Sequence, residues 1–196
     1  MTTFEKLGDA ALRIARPRGT SGARIAQAVR AWPGVVDVAL TEAWIGVSFE
    51  GVPSVTPDRV AALDGLAAEG EGRTVEIAVR YDGADLADVA TLSGLEASEV
   101  ITRHTHAEYT VLFLGFRPGF AYLGGLPSEL EVSRLAEPRV TVPKNAVAIA
   151  GPYAGVYPFA SPGGWRILGT AQGVVLFDAV RGALLRPGDR VRFRPE

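Results

Sequence analysis

Few side chains in this sequence could do acid–base or covalent chemistry, and they fall in two places. The first holds the only two histidines, His104 and His106, followed by Glu108. On a strand, an i, i+2, i+4 spacing would set all three on one face as a metal triad. On a helix the two imidazoles would diverge and act as donors near a helix C-terminus. With no cysteine and no further histidine, a metal site is not expected. The second place is Ser161-Pro162-Gly163-Gly164-Trp165. It combines a hydroxyl with a glycine turn whose N–H groups could hold an anion or a developing oxyanion. It is not the Gly-x-Ser-x-Gly elbow, and no residue near it in sequence offers a base for Ser161. A turn with a packed tryptophan is the plainer reading of the same residues.

Phosphate chemistry has no loop to use. Neither Gly-x-x-x-x-Gly-Lys-Ser/Thr nor Gly-x-Gly-x-x-Gly occurs. Any phosphate would fall to arginines such as Arg117, Arg139 and Arg166, whose plainer reading is surface or structural.

The elements that must position these residues are legible in outline. From Gly115 to Trp165, proline and glycine recur every few residues with aromatics and branched aliphatics between them. A disordered Pro/Gly segment lacks such core formers, so the pattern predicts ordered β structure with fixed turns. That much special geometry shapes either a pocket or the corners of a small barrel. The sharper expectation is a cleft with Tyr157, Ser161 and Trp165 on one side and Phe116, Phe120 and Tyr122 across from them. Pro118, Pro143, Gly163 and Gly164 would set its turns. Aromatic walls with a few polar groups suit a small planar or amide-bearing ligand, and equally a partner's loop.

Upstream, Phe4–Leu7 and Ala10–Ala15 read as a hairpin about Gly8-Asp9. Ser21 is placed to cap a helix with Ile25, Ala28, Val29 and Trp32 on one face. Val35–Leu40 and Trp44–Phe49 form a strand pair, and Thr56-Pro57 opens a second helix with Val60, Leu63 and Ala67 inward. Val75, Ile77, Val79 and Tyr81 alternate as a further strand. This order suggests a ferredoxin-like α+β domain over residues 1–75, with Glu69-Gly70-Glu71-Gly72 as the link. Two short helices follow, the first closed by Gly94 and the second capped by Ser98 and ending near His104 or His106. Short strands then run from Tyr109 to the end: Arg139–Val142, Val147–Ala150, Arg166–Gly169, Val174–Phe177 and Arg190–Arg194. Many short strands with turns between them indicate a barrel over residues 76–196.

Composition excludes several classes. The 196 residues can bury a real core, 47% of them are hydrophobic, and no apolar run is long enough to span a bilayer. The start does not read as a signal peptide, and the lack of cysteine fits the cytoplasm. A formal net charge of −2 argues against nucleic acid as a partner.

Several motifs in one order resemble the KipI family. These are Gly115-Phe116-Arg117-Pro118-Gly119-Phe120-Ala121-Tyr122-Leu123, Pro138-Arg139 with Val142-Pro143, Gly155-Val156-Tyr157-Pro158, Ser161 to Trp165, and Leu185-Arg186-Pro187-Gly188-Asp189-Arg190. The family includes the B-type component of bacterial ATP-dependent 5-oxoprolinase, also known as the first component of allophanate hydrolase. The resemblance implies a cyclophilin-like fold for the barrel. It implies one component of an amidohydrolase that opens 5-oxoproline to glutamate with ATP, and with Mg2+, in the assembled complex. Implied partners are a homologous cyclophilin-like sister chain (the C-type component, or second component of allophanate hydrolase) and a deacetylase-like A-type component. It marks His104 and Arg139 as the residues to assist proton or phosphate chemistry. Other members implied by the resemblance are non-catalytic inhibitors of a histidine kinase, or belong to allophanate and urea breakdown. The chain departs from the family pattern at Asn145-Ala146, where Gly-Ser is common; Asn145 can still take a left-handed turn.

Overall fold

The computed structural model describes residues 3–17, 19–66 and 72–196, and the chain divides into two compact units, Met1–Gly72 and Arg73–Glu196. In the first, strands β1 (Phe4–Lys6), β2 (Ala11–Ala15), β3 (Val35–Leu40) and β4 (Trp44–Phe49) form an antiparallel sheet in the order β1-β2-β4-β3. Alternation sets the dry face: Leu12 and Ile14 of β2 and Ile45, Val47 and Phe49 of β4 are buried. Helix α1 (Gly22–Arg30) brings Ile25 and Val29 into the same core, with Trp32 just beyond it. Its start is set by Ser21, whose side chain accepts the Arg24 N–H at 3.2 Å. Helix α2 (Pro57–Ala61) opens with proline in its first turn, where a missing N–H costs nothing, and adds Val60. A 3-10 turn after it adds Leu63. The expected continuation to Ala67, and Glu69-Gly70-Glu71 of the expected link, lie outside the described residues.

One strand goes elsewhere than expected. The alternation from Val75 to Tyr81 forms β5 (Thr74–Arg80), but it belongs to the second unit. The place beside β2 is filled by β1, and both edges of β5 are taken by strands of the second unit. A period of two specifies a strand, not the sheet it joins.

The second unit is a closed seven-stranded barrel in the order β10-β7-β6-β15-β5-β12-β9. Its further strands are β6 (Tyr109–Leu114), β7 (Ala121–Gly124), β9 (Ala146–Ala150), β10 (Tyr153–Val156), β12 (Arg166–Gln172) and β15 (Arg190–Pro195). Only the β15–β5 pairing is parallel. Two small ribbons stand apart in the pairing: β8 (Arg139–Val142) with β11 (Ser161–Gly163), and β13 (Phe177–Asp178) with β14 (Gly182–Ala183). Of the strand expected over Val174–Phe177 only Phe177 is in a strand, the two-residue β13. Helices α3 (Leu86–Ser93) and α4 (Ala97–His106) add Val89 and Val100 to the barrel core. As expected, α3 stops at Gly94 in the left-handed conformation, φ 68°. The cap of α4 is Glu96 rather than Ser98; its N–H donates to Glu99 Oε2 at 2.9 Å.

Candidate functional site

Strand β9 reads Ala146-Val147-Ala148-Ile149-Ala150, and all five residues are buried. Val147 and Ile149 belong to the barrel core. The three alanines belong to a second cluster on the other face of the wall, with Phe120, Tyr157 and Trp165. Small side chains on that face leave the depth that large rings need. Gly155 on β10 serves the same end: a Cβ there would lie 3.0 Å from Phe120 Cζ and 3.1 Å from Trp165 Cζ3. The rings meet edge to face, with Phe120 5.2 Å from Tyr157, 5.3 Å from Trp165 and 5.2 Å from Tyr122. Ring quadrupoles favour this geometry.

The aromatic residues expected to line one cleft are therefore brought together, but as a packed layer rather than an open slot. Phe120, Tyr157 and Trp165 are buried. Tyr122 and the Phe113 ring stacked on it at 4.4 Å are half-buried. Phe116 is 57% exposed. It occupies the loop from Gly115 to Phe120 with φ 65°, a conformation that costs a residue with a Cβ about 1–2 kcal/mol. The loop holds it there through Gly115 N–H to the Phe120 carbonyl, 3.1 Å, and Phe120 N–H to the Arg117 carbonyl, 3.0 Å. The Phe116 ring leans edge-on to Phe120 at 5.5 Å and Tyr157 at 6.2 Å. Pro118 is exposed in the same loop.

The β8–β11 ribbon supplies the polar part. Register sets Ser161 against Val142 and Gly163 against Arg139. Ser161 is buried and, among the described residues, its hydroxyl reaches only the Phe159 carbonyl, at 3.4 Å. Gly163 is required by its neighbour, since a Cβ there would collide with the Tyr157 hydroxyl. The Gly164 carbonyl accepts the Leu135 N–H at 2.8 Å. Pro143 is exposed, and Asn145 just beyond it has the left-handed φ of 65° expected of it.

Arg139 reaches back to Asp85: Nη2 donates to Oδ1 at 2.6 Å, while Oδ2 accepts the Ile167 N–H at 2.7 Å. One buried carboxylate thus ties β8 to barrel strand β12. The other terminal nitrogen, Nη1, is buried without a partner among the described residues. Burial pushes the Tyr157 hydroxyl pKa up, opposed by a hydrogen bond with the Trp165 backbone and by the charges of Arg134 and Arg139. The Tyr157 hydroxyl and Arg139 Nη1 are thus polar groups held inside the packed layer, closed to solvent. Among the described residues around them no nucleophile is paired with a base.

His104 is not part of this layer. It is fully buried on α4, stacked on Phe193 at 4.6 Å and 5.4 Å from Tyr109. Nδ1 lies 2.8 Å from the Tyr81 hydroxyl, and Nε2 is buried with no partner among the described residues. Burial pushes its pKa down to about 3, so the ring is neutral and packs the interior. Proton exchange with a ligand, the role the resemblance implies, would require that interior to open. His106 points away, with Nδ1 2.8 Å from the Thr102 carbonyl, and Glu108 pairs with Arg192 at 2.6 Å and Arg190 at 3.1 Å. The two histidines diverge as a helix dictates, and Glu108 lies beyond the helix end.

The arginines considered for phosphate are mostly committed. Arg139 is held by Asp85, and Arg166 donates to the Ser133 carbonyl at 2.9 Å with Asp88 3.6 Å away. Arg117 alone of the three faces solvent. These residues do not fit a nucleoside triphosphate. The sequence reading missed Asp85, which looks like an ordinary helix cap but makes no cap hydrogen bond. It also missed the alanine row of β9, whose signal is strict small–large alternation.

The carboxyltransferase-domain family, subdomain C and D, matches residues 3–184. The chain belongs to this family. The KipI-type motifs and the match agree. A B-type subunit of 5-oxoprolinase from Escherichia coli O157:H7 is 44% identical over 183 residues, covering 88% of this chain and 84% of that protein. The crystal structure of TTHA0988 superposes on the whole chain with TM-score 0.77 and 36% identity. The chain spans only 40% of TTHA0988. The Kluyveromyces lactis urea amidolyase shares the fold, with TM-score 0.71 and 15% identity over 15% of that enzyme. Among the described residues no helix is long and apolar enough to cross a membrane.

Proposed function

We propose that this chain is the B-type component of an ATP-dependent 5-oxoprolinase assembly, which opens the lactam of 5-oxoproline to glutamate. The observation that carries this reading is the 44% identity, across 88% of the chain, to a protein named as the B-type subunit of 5-oxoprolinase. On this reading ATP and Mg2+ are used by the assembled complex in the cytoplasm, and companion chains supply what this chain lacks. The companions are a sister chain with a cyclophilin-like barrel and a deacetylase-like chain. The barrel here is read as cyclophilin-like, and the first unit as ferredoxin-like with β1 in the fourth strand position. That TTHA0988 carries this region as 40% of one longer polypeptide supports a working unit larger than this chain.

Within that assembly the packed layer opens at its Phe116 edge so that the Tyr157 hydroxyl and Arg139 Nη1, both buried in this chain alone, reach a substrate oxygen, while Phe116, Pro118 and the Tyr122 rim meet a companion or the substrate. His104 contributes by holding the barrel interior. Co-expression with genomic neighbours, purification and an assay of ATP-dependent glutamate release test the reading. Turnover that falls at least tenfold in Arg139→Lys with the complex intact supports it. A stable complex without turnover overturns it. A second reading, a regulatory binding protein, is favoured by Phe116, an exposed aromatic held in a strained backbone where, among the described residues, no paired nucleophile and base accompany it.

A further inference from the structure

A cavity of about 330 Å³ opens beside the β13–β14 ribbon, lined by none of the residues of the aromatic layer. Arg73, Arg181 and Arg186 line it against one carboxylate, Asp178. In a chain of net charge −2, three guanidinium groups about one small space are a local excess. Asp178 is occupied with the backbone: its Oδ1 accepts the Val180 N–H at 2.9 Å and the Arg181 N–H at 2.8 Å. This turn fixes where the Arg181 side chain leaves the hairpin. Arg73 is fixed as well. Its Nε donates to Asp189 Oδ2 at 3.2 Å and its Nη2 donates to the Leu184 carbonyl. Asp189 is buried and also accepts the Arg186 N–H at 2.9 Å. That contact gives the Arg186-Pro187-Gly188-Asp189 motif its structural task, and it leaves Asp189 balancing Arg73. The side chains of Arg181 and Arg186 have no hydrogen-bond or ion-pair partner among the described residues. Val175 and Leu184 complete the wall with apolar surface.

We propose that this cavity binds a small organic anion through its carboxylate or phosphate group. The forks of Arg181 and Arg186 take the oxyanion, since planar guanidinium donors match its oxygens two at a time. Arg73 provides fixed positive charge behind them, and the ligand's carbon skeleton lies on Val175 and Leu184. The volume is at the small end of ligand pockets, which run from roughly 300 to 1,000 Å³, and is larger than a bare inorganic anion needs. The inference stands apart from the 5-oxoprolinase reading.

The test is a titration of the full chain with inorganic phosphate, with 5-oxoproline, and with 2-pyrrolidinone, the same lactam without a carboxylate. Calorimetry gives affinity, and arginine Nε–Hε NMR signals report which side chains respond. Saturable binding of at least one anion is expected, with Kd about 0.1–1 mM. The Arg181 and Arg186 signals should move, and 2-pyrrolidinone should not bind. Arg181→Ala and Arg186→Ala should each weaken binding about tenfold, while Arg30→Ala, at an exposed arginine of α1, should not. Binding of phosphate alone assigns a phosphate ester, of 5-oxoproline alone a carboxylate, and of both a site for either group. No saturable binding overturns the proposal, as does equal binding of 2-pyrrolidinone or indifference to both arginine substitutions. No partner or turnover enters the readout, so its failure and that of the 5-oxoprolinase reading remain separate results.

Discussion

Two aromatic groups occupy the second unit on opposite faces of one barrel wall, and solvent treats them differently. Inside, His104, Tyr109 and Phe193 are all but fully buried, with Tyr81 closing the group at 5.8 Å. Outside, exposure rises from the buried Phe120, through half-buried Tyr122, to Phe116 at 57%. The interior group holds the imidazole, kept neutral by burial; the exterior group holds the strained ring. Residue type does not separate them, since both mix aromatics with hydroxyls. Strand parity does: Leu123 faces in where Tyr122 faces out, and Val147 faces in where Ala148 faces out. The interior is arranged for stability, while the exterior layer keeps a stable base and presents an edge.

The comparison breaks if the outer layer is loosely attached. Phe193→Ala and Trp165→Ala should each cost about 3–5 kcal/mol, because both rings are buried and their loss leaves cavities. Urea unfolding measures both. A cost below about 1 kcal/mol for Trp165, outside the range for a buried aromatic, would mean that the outer layer is a surface ornament.

The next test uses acid, where only the interior should respond through His104. Its folded pKa of about 3 lies below the ordinary 6.5. Above 6.5 the ring is neutral folded or unfolded. Between 6.5 and 3 the unfolded chain binds a proton that the folded chain refuses, so stability falls by about 1.4 kcal/mol per pH unit from this group. Tyr81 and Tyr109 face the ring, but burial pushes both phenols up, so neither titrates in that window. Chemical denaturation at pH 7, 5.5 and 4.5 should show a shallower decline in His104→Phe. Identical slopes in the two proteins would place the imidazole in contact with water.

A smaller effect is expected at the tie between ribbon and wall. Asp85→Asn leaves Arg139 without its counter-charge. Breaking a buried pair costs about 3–5 kcal/mol, but the Arg139 side chain is 29% exposed, so about 2 kcal/mol is expected after screening. Amide exchange should quicken at Arg139–Val142 and Ser161–Gly163 and stay unchanged in β15. Uniform loss of protection across the barrel would mean that the ribbon is not a separate layer.

Much of this architecture is legible in sequence because it rests on local signals. Ser21, Pro57 and Gly94 mark helix ends by their own chemistry, and alternation identifies β4 and β6. The aromatic layer was foreseeable too, since Pro and Gly about Phe116, Phe120, Tyr157 and Trp165 imply rings held by fixed turns. What failed was long-range. The residues of β5 alternate identically whichever sheet they join, and the barrel wins because it satisfies both edges. Asp85 finds Arg139 54 residues away, a separation that carries no pattern. His104 reads as a reactive group only until its burial is known, and burial of a helical residue depends on what packs against the helix.

Phe116 offers the finest test because its stability terms nearly cancel. Its φ of 65° costs about 1–2 kcal/mol for a residue with a Cβ. Phe116→Gly removes that strain, but it adds about 0.5–1 kcal/mol of unfolded-state entropy and gives up the edge contacts with Phe120 and Tyr157. Phe116→Ala gives up the same contacts and keeps the strain. The glycine variant should therefore be the more stable by about 0.5–1 kcal/mol, the reverse of the usual order at most positions. On the proposed 5-oxoprolinase reading, both variants should bind companion chains at least tenfold more weakly than the parent chain, since both lose the exposed ring. If alanine proves the more stable, the loop relaxes without its phenylalanine and the ring itself imposes the left-handed turn. If neither variant affects assembly, the exposed edge is not where a companion docks, and the difference between the two aromatic groups is one of packing alone.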